Sequence, residues 1–564
     1  MTLPALPFLD NKNLRLRYWW PLITLVAVFS YFYNLDGLHI PKIGDEAPYY
    51  HVTRLTADSG HWLPLQGDYG LQNTKPPLLF WQGIVSTSWA THWTLERLRL
   101  PIVFYSLLTA LLTFLLAKKI SGDREKGYIA ALTFLGFAST FQHGRPFLTN
   151  LPETFFIFLC FFVLIYFWQR KDQWKLYSWA LLGFALGIAT LYRSFVVVVP
   201  VGFAVLLIQG FERNWDIREL VRRDLVPVSL MVFVALMCFS LWPLLDPHPE
   251  NILQQFILGQ NVSKLDQGNY FHGLFSGPYP LTRIWLGQLT NAGLLMFVLI
   301  GVVIVGIRNR RQWGSEERAL WVLVLAYLIV YSVPSQRQEN YLLPATPALA
   351  VLMALYWHRF KPLTWGIMSI PILFGLGVLT WLFVNIPGNV SGFPDYGTGA
   401  RIFLYSGWLL IAYSIYCMRH LRHTLNLLVF FSYILLAVVL SPLEGKVGRY
   451  NQETINEVAG ETIYMPKTFG PDLDSYRFIL PGSDIRGYNP RSQRQQENLL
   501  QQGHKLGINL PVNRFCDSRY QVYGRRLDMK TRQTPQQVRE ILFNKRLDLL
   551  FQQELIVSLK VLSA

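Results

Sequence analysis

Charged residues are scarce in this chain of 564 residues. They make up 15% of it, against about 25% in an average soluble domain, while 52% of the residues are hydrophobic. This composition excludes a soluble globular domain as the main part of the molecule. The apolar runs 19–33, 101–117 and 225–241 approach or reach the roughly 20 residues that a helix needs to cross a bilayer. The sequence therefore predicts an integral membrane protein with many transmembrane helices.

Cysteine is also rare, with four residues in the whole chain. Cys160, Cys238 and Cys417 lie inside apolar runs, and Cys516 has no obvious partner. This pattern excludes a disulfide framework, and no Cys/His spacing typical of a metal site is present. We predict no metal ligands and no certain cofactor. A divalent metal stays an open alternative without support in the sequence.

Acidic residues are outnumbered, 35 against 51 basic ones, which gives a formal net charge of +16. Nucleic acid is not the expected partner, because the basic residues are concentrated in short segments between apolar runs. Cytoplasmic loops of membrane proteins carry such an excess of Lys and Arg. The apolar runs predict about thirteen spans. With this number of spans, the charge of the loops places the N-terminus in the cytoplasm and the C-terminus outside. The basic, cytoplasmic segments are the N-terminus, 118–126, 170–175, 213–223, 308–318, 359–361 and 419–422.

Two outer loops are long, at 38–97 and 247–287, and loops of this length are usually functional. The apolar spans stop near residue 442. We expect residues 1–442 to form the transmembrane domain and residues 443–564 a small soluble α/β domain. Within the latter, 476–480 and 547–551 are predicted strands and 535–544 a predicted helix.

Asp45 and Glu46 stand close after the first span, at the outer membrane surface. An acid in this position can act as a general base. The alternative is structural, since Asp45 could cap a helix whose first turn tolerates Pro48. From the residues alone the capping role is the more common one.

Lys75 precedes two prolines and an apolar, aromatic stretch. The prolines stiffen the backbone and would hold the cation at the membrane interface. The alternative is an amphipathic helix that begins with proline and leaves the lysine solvated.

Three arginines lie near outer span ends, against the positive-inside trend. They are Arg145, Arg193 and Arg337. Guanidinium groups suit phosphate because they offer paired donors. Individually each could reach lipid headgroups, but together with Lys75 they indicate an anionic ligand.

Asn150 and Glu153 fit a capping box at the start of the fourth span. In such a box the first side chain accepts from the first turn and the second reaches back. We expect a helix cap here and not an acidic catalytic motif.

The order of these segments resembles the GT-C type membrane glycosyltransferases, in the bacterial branch shared by the aminoarabinose transferases of lipid A and the protein O-mannosyltransferases. The resemblance covers residues 40–350. It rests on Asp45-Glu46, Lys75-Pro76-Pro77-Leu78, Arg145 to Pro152, Gly259-Gln260-Asn261-Val262 and Arg337 to Pro344.

This resemblance implies transfer of a sugar from a polyprenyl-phosphate carrier to an acceptor outside the membrane, with inversion at the anomeric carbon. It implies that Asp45 is the general base or an acid that orients the acceptor, and we include the adjacent Glu46 as a catalytic candidate. Lys75 would bind the carrier phosphate, assisted by the three arginines. Arg193 stands where many relatives have a phosphate-binding lysine, and we expect Tyr341 to line the same cavity with Arg337.

The expected location is the bacterial inner membrane, with the C-terminal domain in the periplasm. The expected partners are the polyprenyl-phosphate sugar donor, membrane lipids and a lipid or glycan acceptor, lipid A among them. Protein O-mannosylation is an alternative that the same residues could support. A flippase that moves a lipid-linked sugar without chemistry is another. Transporters commonly carry charges inside their spans, whereas here the charges gather at outer span ends, which favours an enzyme.

Overall fold

The structure of the chain is a computed structural model. It describes residues 11–40, 44–67, 70–71, 74–261, 270–467, 470–514, 516–530 and 532–560. Val262 of the predicted 259–262 motif and parts of both long loops lie outside the described residues.

Helices form most of the chain up to residue 444. The α-helices of ten residues or more are α1 (Trp20–Phe32), α2 (Glu46–Asp58), α3 (Leu95–Ser121), α4 (Arg124–Gly136), α5 (Asn150–Tyr166), α6 (Leu176–Tyr192), α7 (Val198–Glu212), α8 (Val226–Leu245), α9 (Met296–Arg308), α10 (Ser315–Ser332), α11 (Thr346–Tyr356), α12 (Ile370–Asn389), α13 (Thr398–Tyr416), α14 (Met418–Glu444) and α15 (Pro535–Asn544).

Shorter helical segments connect or extend these helices. The α-helical ones are Lys12–Leu14, Leu78–Ser86, Ala138–His143, Ile217–Leu220, Pro249–Asn251, Tyr270–Phe275, Leu281–Trp285, Gly287–Ala292, Pro362–Met368, Gln452–Val458, Asp472–Arg477 and Gln493–Gln501. The 3₁₀ segments are Trp168–Gln173, Phe195–Val197, Gly293–Leu295, Arg310–Gln312, Glu339–Ala345, Trp357–Arg359 and Leu547–Leu550, and the π-helical ones are Arg15–Trp19, Val221–Leu225 and Ile252–Asn261.

Several helical stretches are long and apolar enough to cross a membrane. In the described part of the chain there are seven: Leu95–Ser121, Phe195–Glu212, Ile217–Leu245, Gly287–Arg308, Glu339–Arg359, Ile370–Asn389 and His420–Glu444. Helices α5 and α6 are apolar but shorter. A polytopic helical membrane architecture agrees with the sequence analysis, while the number of thirteen spans stays a prediction.

Small residues allow α6 and α8 to approach each other closely. A Cβ atom added at Gly183 would lie 2.5 Å from the Met231 carbonyl oxygen, and one added at Gly187 would lie 2.4 Å from Cys238 Cβ. Small residues four positions apart commonly form such helix interfaces in membranes. This packing fixes the end of α6, and Arg193 follows that end directly.

The chain after residue 444 contains a five-stranded mixed sheet. Its strands are β3 (Thr462–Pro466), β4 (Asp484–Tyr488), β5 (Lys505–Leu510), β6 (Tyr520–Met529) and β7 (Phe551–Leu559), in the order β4-β3-β5-β7-β6. Strand β3 is parallel to β4 and β5, whereas β7 is antiparallel to β5 and β6. A two-stranded ribbon in the first long loop consists of β1 (Gln66–Gly67) and β2 (Gly70–Leu71). A C-terminal α/β unit is therefore present, and its boundary at 442/443 stays a prediction.

Two local predictions in this unit are wrong. The segment predicted as a strand at 476–480 begins in the helix Asp472–Arg477, and residues 547–550 form a 3₁₀ turn ahead of β7. Short apolar runs do not distinguish a strand from a buried helical turn by periodicity. The predicted helix 535–544 is confirmed as α15, where Thr534 and Gln537 form a capping box.

His39 joins the first long loop to the C-terminal sheet. One ring nitrogen lies 3.0 Å from Glu444 Oε1 at the end of α14, and the other lies 3.0 Å from Asp528 Oδ1 on β6. Burial lowers the pKa of His39, but the bonds to Asp528 and Glu444 outweigh it and hold the pKa above its ordinary value. The imidazolium form therefore stabilises this junction.

Asp474 makes a second junction between the same two regions. The Arg54 Nε atom on α2 donates to Asp474 Oδ1 at 2.7 Å, and His51 on the same helix bonds the other carboxylate oxygen. Nearby, the rings of Trp93 and Phe478 stack with centroids 5.6 Å apart. These contacts pack the C-terminal unit against α2, whose first turn begins after Asp45.

We expect the His39 junction to weaken as pH rises. Because the folded pKa of His39 lies above the unfolded value, its stabilisation is present below about pH 6.5 and is lost as pH rises through the folded pKa. The Tm of the purified, unaltered protein should fall between pH 6 and pH 8.5. This fall should be larger than the fall measured for His39→Gln over the same pH range. The exposed His61→Gln is the control and should behave like the unaltered protein. An identical loss of Tm in His39→Gln would contradict this role.

Candidate functional site

A cavity of about 340 Å³ lies where α2, α5, α6 and the segment 334–341 meet. This volume is at the lower end of the range for small-molecule sites. The described residues that line it are Asp45, Tyr49, Lys75, His143, Leu148, Thr149, Asn150, Arg193, Ser194, Val196, Val197, Phe256, Gln260, Asn261, Tyr331, Pro334, Gln336, Gln338, Asn340 and Tyr341. Of the seven predicted site residues, the structure brings Asp45, Lys75, Arg193 and Tyr341 together here.

Asp45 occupies the N-cap position of α2, as the structural alternative requires. Its carboxylate nevertheless makes no capping hydrogen bond to the first turn of the helix. The residue is exposed and lines the cavity. The position supplies a carboxylate to the cavity wall and does not use it to cap the helix.

Glu46 points away from the cavity, into the protein. It is 5% exposed, and both of its carboxylate oxygens accept from Arg99, at 2.7 Å from Nε and 2.6 Å from Nη2. The backbone N–H of Phe147 also donates to Glu46 Oε1, at 2.7 Å. Successive residues of a helix point about 100° apart, so Asp45 and Glu46 serve different sides. The structure therefore does not place Glu46 where a catalytic acid is needed.

Lys75 lines the same cavity as Asp45. The helix Leu78–Ser86 follows it, with Pro77 at the N-cap position. This is the helix start that the two prolines predict. The backbone is thus fixed where Lys75 faces the cavity.

Arg193 lies directly after the last residue of α6 and is held from behind. Its Nη1 atom is 2.9 Å from Glu153 Oε2, and its guanidinium carbon lies 5.0 Å from the centroid of the Tyr341 ring. Glu153 is 2% exposed and is not among the cavity-lining residues. A buried ion pair of this kind keeps Arg193 charged and fixes its orientation.

The predicted capping box at Asn150 and Glu153 is wrong. Helix α5 has Thr149 at its N-cap position, without a side-chain cap, and Glu153 bonds Arg193 instead of its own first turn. The sequence spacing fits a capping box, but the charged, half-buried side chain of Arg193 is a stronger partner for a carboxylate than a backbone N–H. Asn150 is left to line the cavity.

Arg145 and Arg337 are buried away from the cavity. Arg145 donates to the carbonyl oxygens of Ser30, Tyr33 and Asn34 at the end of α1, the shortest distance being 2.6 Å to Tyr33. Arg337 donates to the carbonyl oxygens of three further residues, Ser332, Gly273 and Tyr279. Both arginines satisfy helix ends and loop carbonyls, so the structure assigns them to the scaffold.

Sequence reasoning missed several residues of the cavity wall. Tyr49 lies one helical turn after Asp45, and burial raises its pKa to about 12, so its hydroxyl stays protonated. His143 precedes Arg145 in the sequence and has one ring nitrogen 3.0 Å from the Ser139 carbonyl oxygen. The carboxamide side chains in segments 260–261 and 336–340 were also missed as lining residues. Their signal was weak, because no spacing rule predicts which loop amides converge.

Comparisons with known proteins find relatives of this chain among membrane transferases. Residues 74–242 match the family described as dolichyl-phosphate-mannose-protein mannosyltransferase. The undecaprenyl phosphate-alpha-4-amino-4-deoxy-L-arabinose arabinosyl transferase of Pseudomonas savastanoi is 26% identical, over 68% of this chain and 71% of that protein. A homologue of the same description from Sodalis glossinidius is 25% identical, over 70% of each chain. An uncharacterized protein of Aquifex aeolicus is 25% identical, and the match spans 62% of its length.

Solved structures show the same fold. ArnT from Cupriavidus metallidurans in the apo state superposes with a TM-score of 0.60 at 16% identity, covering 87% of this chain and 92% of ArnT. ArnT bound to undecaprenyl phosphate gives a TM-score of 0.60 at 14% identity, covering 88% and 96%. The chain is thus similar in sequence to these arabinosyl transferases and similar in fold to ArnT. The predicted resemblance and the glycosyltransferase class are thereby confirmed.

The charges of the cavity suit this enzyme class. Asp45 is the one carboxylate among the described lining residues, and Lys75 and Arg193 are the two cations. No group of three or more His, Cys, Asp or Glu side chains that could hold a metal occurs in the part of the chain that the structure describes.

A larger, apolar groove includes residues of the helix that follows Lys75. It measures about 910 Å³ and is lined by Gly60, His61, Trp62, Leu63, Leu78, Trp81, Gln82, Val85, Ser86, Pro101 and Leu245. No carboxylate, lysine or arginine lines it among the described residues. The helix that follows Lys75 supplies part of its wall. His61 is the one ionisable side chain among the described residues of its wall.

We expect Glu46→Gln to destabilise the fold. Breaking a buried ion pair leaves a charge without compensation, and Arg99 is 1% exposed, so the cost should be about 3 kcal/mol. Thermal unfolding of the purified variant measures it, and the exposed Glu96→Gln on α3 is the control. A variant with unchanged Tm and no activity would restore Glu46 as a catalytic candidate.

Proposed function

We propose that the protein transfers a sugar from a polyprenyl-phosphate carrier to a lipid or cell-envelope glycan acceptor, with inversion at the anomeric carbon. The observation that carries this proposal is the presence of Asp45, Lys75 and Arg193 on the wall of one cavity. One carboxylate and two cations match the charges that such a transfer develops.

The two sides of the reaction use different groups. The oxygen of the acceptor hydroxyl attacks the anomeric carbon, and Asp45 accepts the proton of that hydroxyl. The bond between that carbon and the phosphate oxygen breaks, and the carrier phosphate leaves with the electron pair. Lys75 and Arg193 stabilise the departing anion, because fixed cations in a water-poor site bind developing negative charge strongly. The Glu153 carboxylate behind Arg193 holds that cation in place.

The apolar groove supports a lipid-linked donor. Leu78 and Gln82, on the helix that follows Lys75, belong to the groove wall. The polyprenyl chain would lie along this groove while its phosphate reaches Lys75. The name of one solved neighbour, ArnT bound to undecaprenyl phosphate, specifies a carrier of this class.

The site lies on the outer, periplasmic side of a bacterial inner membrane in this proposal. The support is the charge of the loops, because the segments rich in Lys and Arg alternate with those that carry Asp45, Lys75 and Arg193. The N-terminus is then cytoplasmic, and the C-terminal sheet, which packs on α2, is periplasmic. Arg54 on α2 contacts Asp474 of the C-terminal unit, and this contact supports a role for that unit in selecting the acceptor.

A protein hydroxyl is the second candidate acceptor. The match of residues 74–242 to a protein mannosyltransferase family favours it, since this segment carries both Lys75 and Arg193. The same base and the same cations serve either acceptor.

The decisive experiment measures release of free carrier lipid. Full-length protein in liposomes is given undecaprenyl-phosphate-linked sugars together with lipid, glycan and peptide acceptors. Asp45→Asn should lower the rate about 10²- to 10⁴-fold, the usual contribution of a general base. Asp58→Asn, at the other end of α2, is the control and should retain activity. Transbilayer movement of the donor that survives Asp45→Asn, without transfer by the unaltered protein, would instead establish a flippase.

Lys75→Ala tests the phosphate site separately. Loss of a hydrogen bond to a charged group costs about 1.5–3 kcal/mol, so donor affinity should fall roughly ten- to hundredfold. The affinities of each protein for undecaprenyl phosphate and for uncharged undecaprenol are measured by competition. The difference between the two affinities gives the contribution of the phosphate group to binding. Lys75→Arg keeps the charge and should lose less, and the exposed Lys118→Ala should lose nothing. Unchanged donor affinity in Lys75→Ala would remove this residue from the phosphate site.

A further inference from the structure

Carboxamide side chains dominate the polar wall of the cavity. Among the lining residues that the structure describes, six carry this group: Asn150, Gln260, Asn261, Gln336, Gln338 and Asn340. A carboxamide offers N–H donors and an oxygen acceptor on the same side chain. Sugar hydroxyls also donate and accept, so this wall is complementary to a neutral polyhydroxylated group.

Two of these amides have an atom that the protein leaves unpaired. Asn150 Nδ2 and Asn340 Oδ1 are buried and have no hydrogen-bond partner in the described part of the chain. Asn150 is 6% exposed. A buried donor or acceptor without a partner costs about 1–3 kcal/mol. A ligand hydroxyl that accepts from Asn150, or one that donates to Asn340, would remove this cost.

Asn261 shows the contrasting arrangement. Its Oδ1 atom accepts from Ser194 Oγ at 3.0 Å, and its Nδ2 atom donates to the Phe256 carbonyl oxygen at 2.8 Å. This amide is satisfied by the protein and shapes the wall. Asn261 therefore differs from Asn150 and Asn340, each of which has a buried atom without a partner in the described part of the chain.

The charges of the wall disfavour a cationic sugar. An ammonium group that leaves water needs a carboxylate to compensate it. Asp45 is the one carboxylate on the described wall, and the transfer reaction uses it as the base. Lys75 and Arg193 would repel a further positive charge, although Glu153 offsets that of Arg193 from behind.

We propose that the sugar handled by this cavity is neutral and hydroxylated, and that Asn150 and Asn340 recognise its hydroxyl groups. An amino sugar with a free ammonium group is then a poor substrate. This inference rests on the proposed function, since it specifies the sugar that the polyprenyl phosphate carries.

A matched pair of donors tests it. Undecaprenyl-phosphate-linked L-arabinose and its 4-amino-4-deoxy counterpart differ only at C4. The first has a hydroxyl group there, and the second has an amine that is protonated to an ammonium group at pH 6.5. Each competes with radiolabelled undecaprenyl phosphate for the full-length protein in nanodiscs. The neutral donor should bind at least tenfold more tightly, which corresponds to about 1.4 kcal/mol.

Asn150→Asp adds a carboxylate to the wall and should move the affinity ratio toward the amino sugar by tenfold or more. The exposed Asn389→Asp adds the same charge elsewhere and should leave the ratio unchanged. Asn340→Asp is the second cavity variant, used if Asn150→Asp no longer binds undecaprenyl phosphate.

The outcomes separate the two proposals. Equal or tighter binding of the amino sugar to the unaltered protein would overturn the neutral-sugar inference and leave the carrier site standing. A ratio that moves equally in Asn150→Asp and Asn389→Asp would also overturn it. Failure of undecaprenyl phosphate itself to bind the unaltered protein would overturn the proposed function.

Discussion

The buried ion pair between Glu46 and Arg99 is the contact on which the rest of the site depends. Arg99 Nη1 also donates to the carbonyl oxygens of Leu35, at 2.9 Å, and Gly37, at 2.6 Å. Glu46 in turn accepts from the backbone of Phe147. One pair of side chains thus joins the end of α1, the start of α2, helix α3 and the segment ahead of α5. Paired charges so deeply buried are tolerated because nearly every hydrogen-bonding position is satisfied.

This scaffold explains the different fates of neighbouring polar residues. Arg145 satisfies the last carbonyl oxygens of α1, and Glu46 holds Arg99, so both are used to keep the helices in place. Asp45 and Lys75 stand beside fixed backbone and present their charges to the cavity. The same residue types therefore either hold the scaffold or line the cavity, according to the direction in which the local backbone presents them. Burial together with hydrogen bonds to the protein marks the structural ones.

Arg193 combines the two roles. It is held by Glu153 from behind and by the Tyr341 ring at its face, yet it borders the cavity. A cation fixed in this way needs no reorganisation when a phosphate leaves, which is the property that makes electrostatic stabilisation effective. The close packing of Gly183 and Gly187 against α8 contributes, because it fixes the helix end from which Arg193 projects.

The sequence by itself determined the membrane class, the family resemblance and the segments that carry Asp45, Lys75 and Arg193, because long apolar runs, loop charge and short motifs are local signals. It also located α15 through its local capping pattern. Only the tertiary structure decided which charged residues share a cavity. Glu46, Arg145 and Arg337 were indistinguishable from site residues in the sequence, since a partner distant along the chain determines whether a charge is buried. The amides of the cavity wall, and the true partner of Glu153, depended on the same long-range packing.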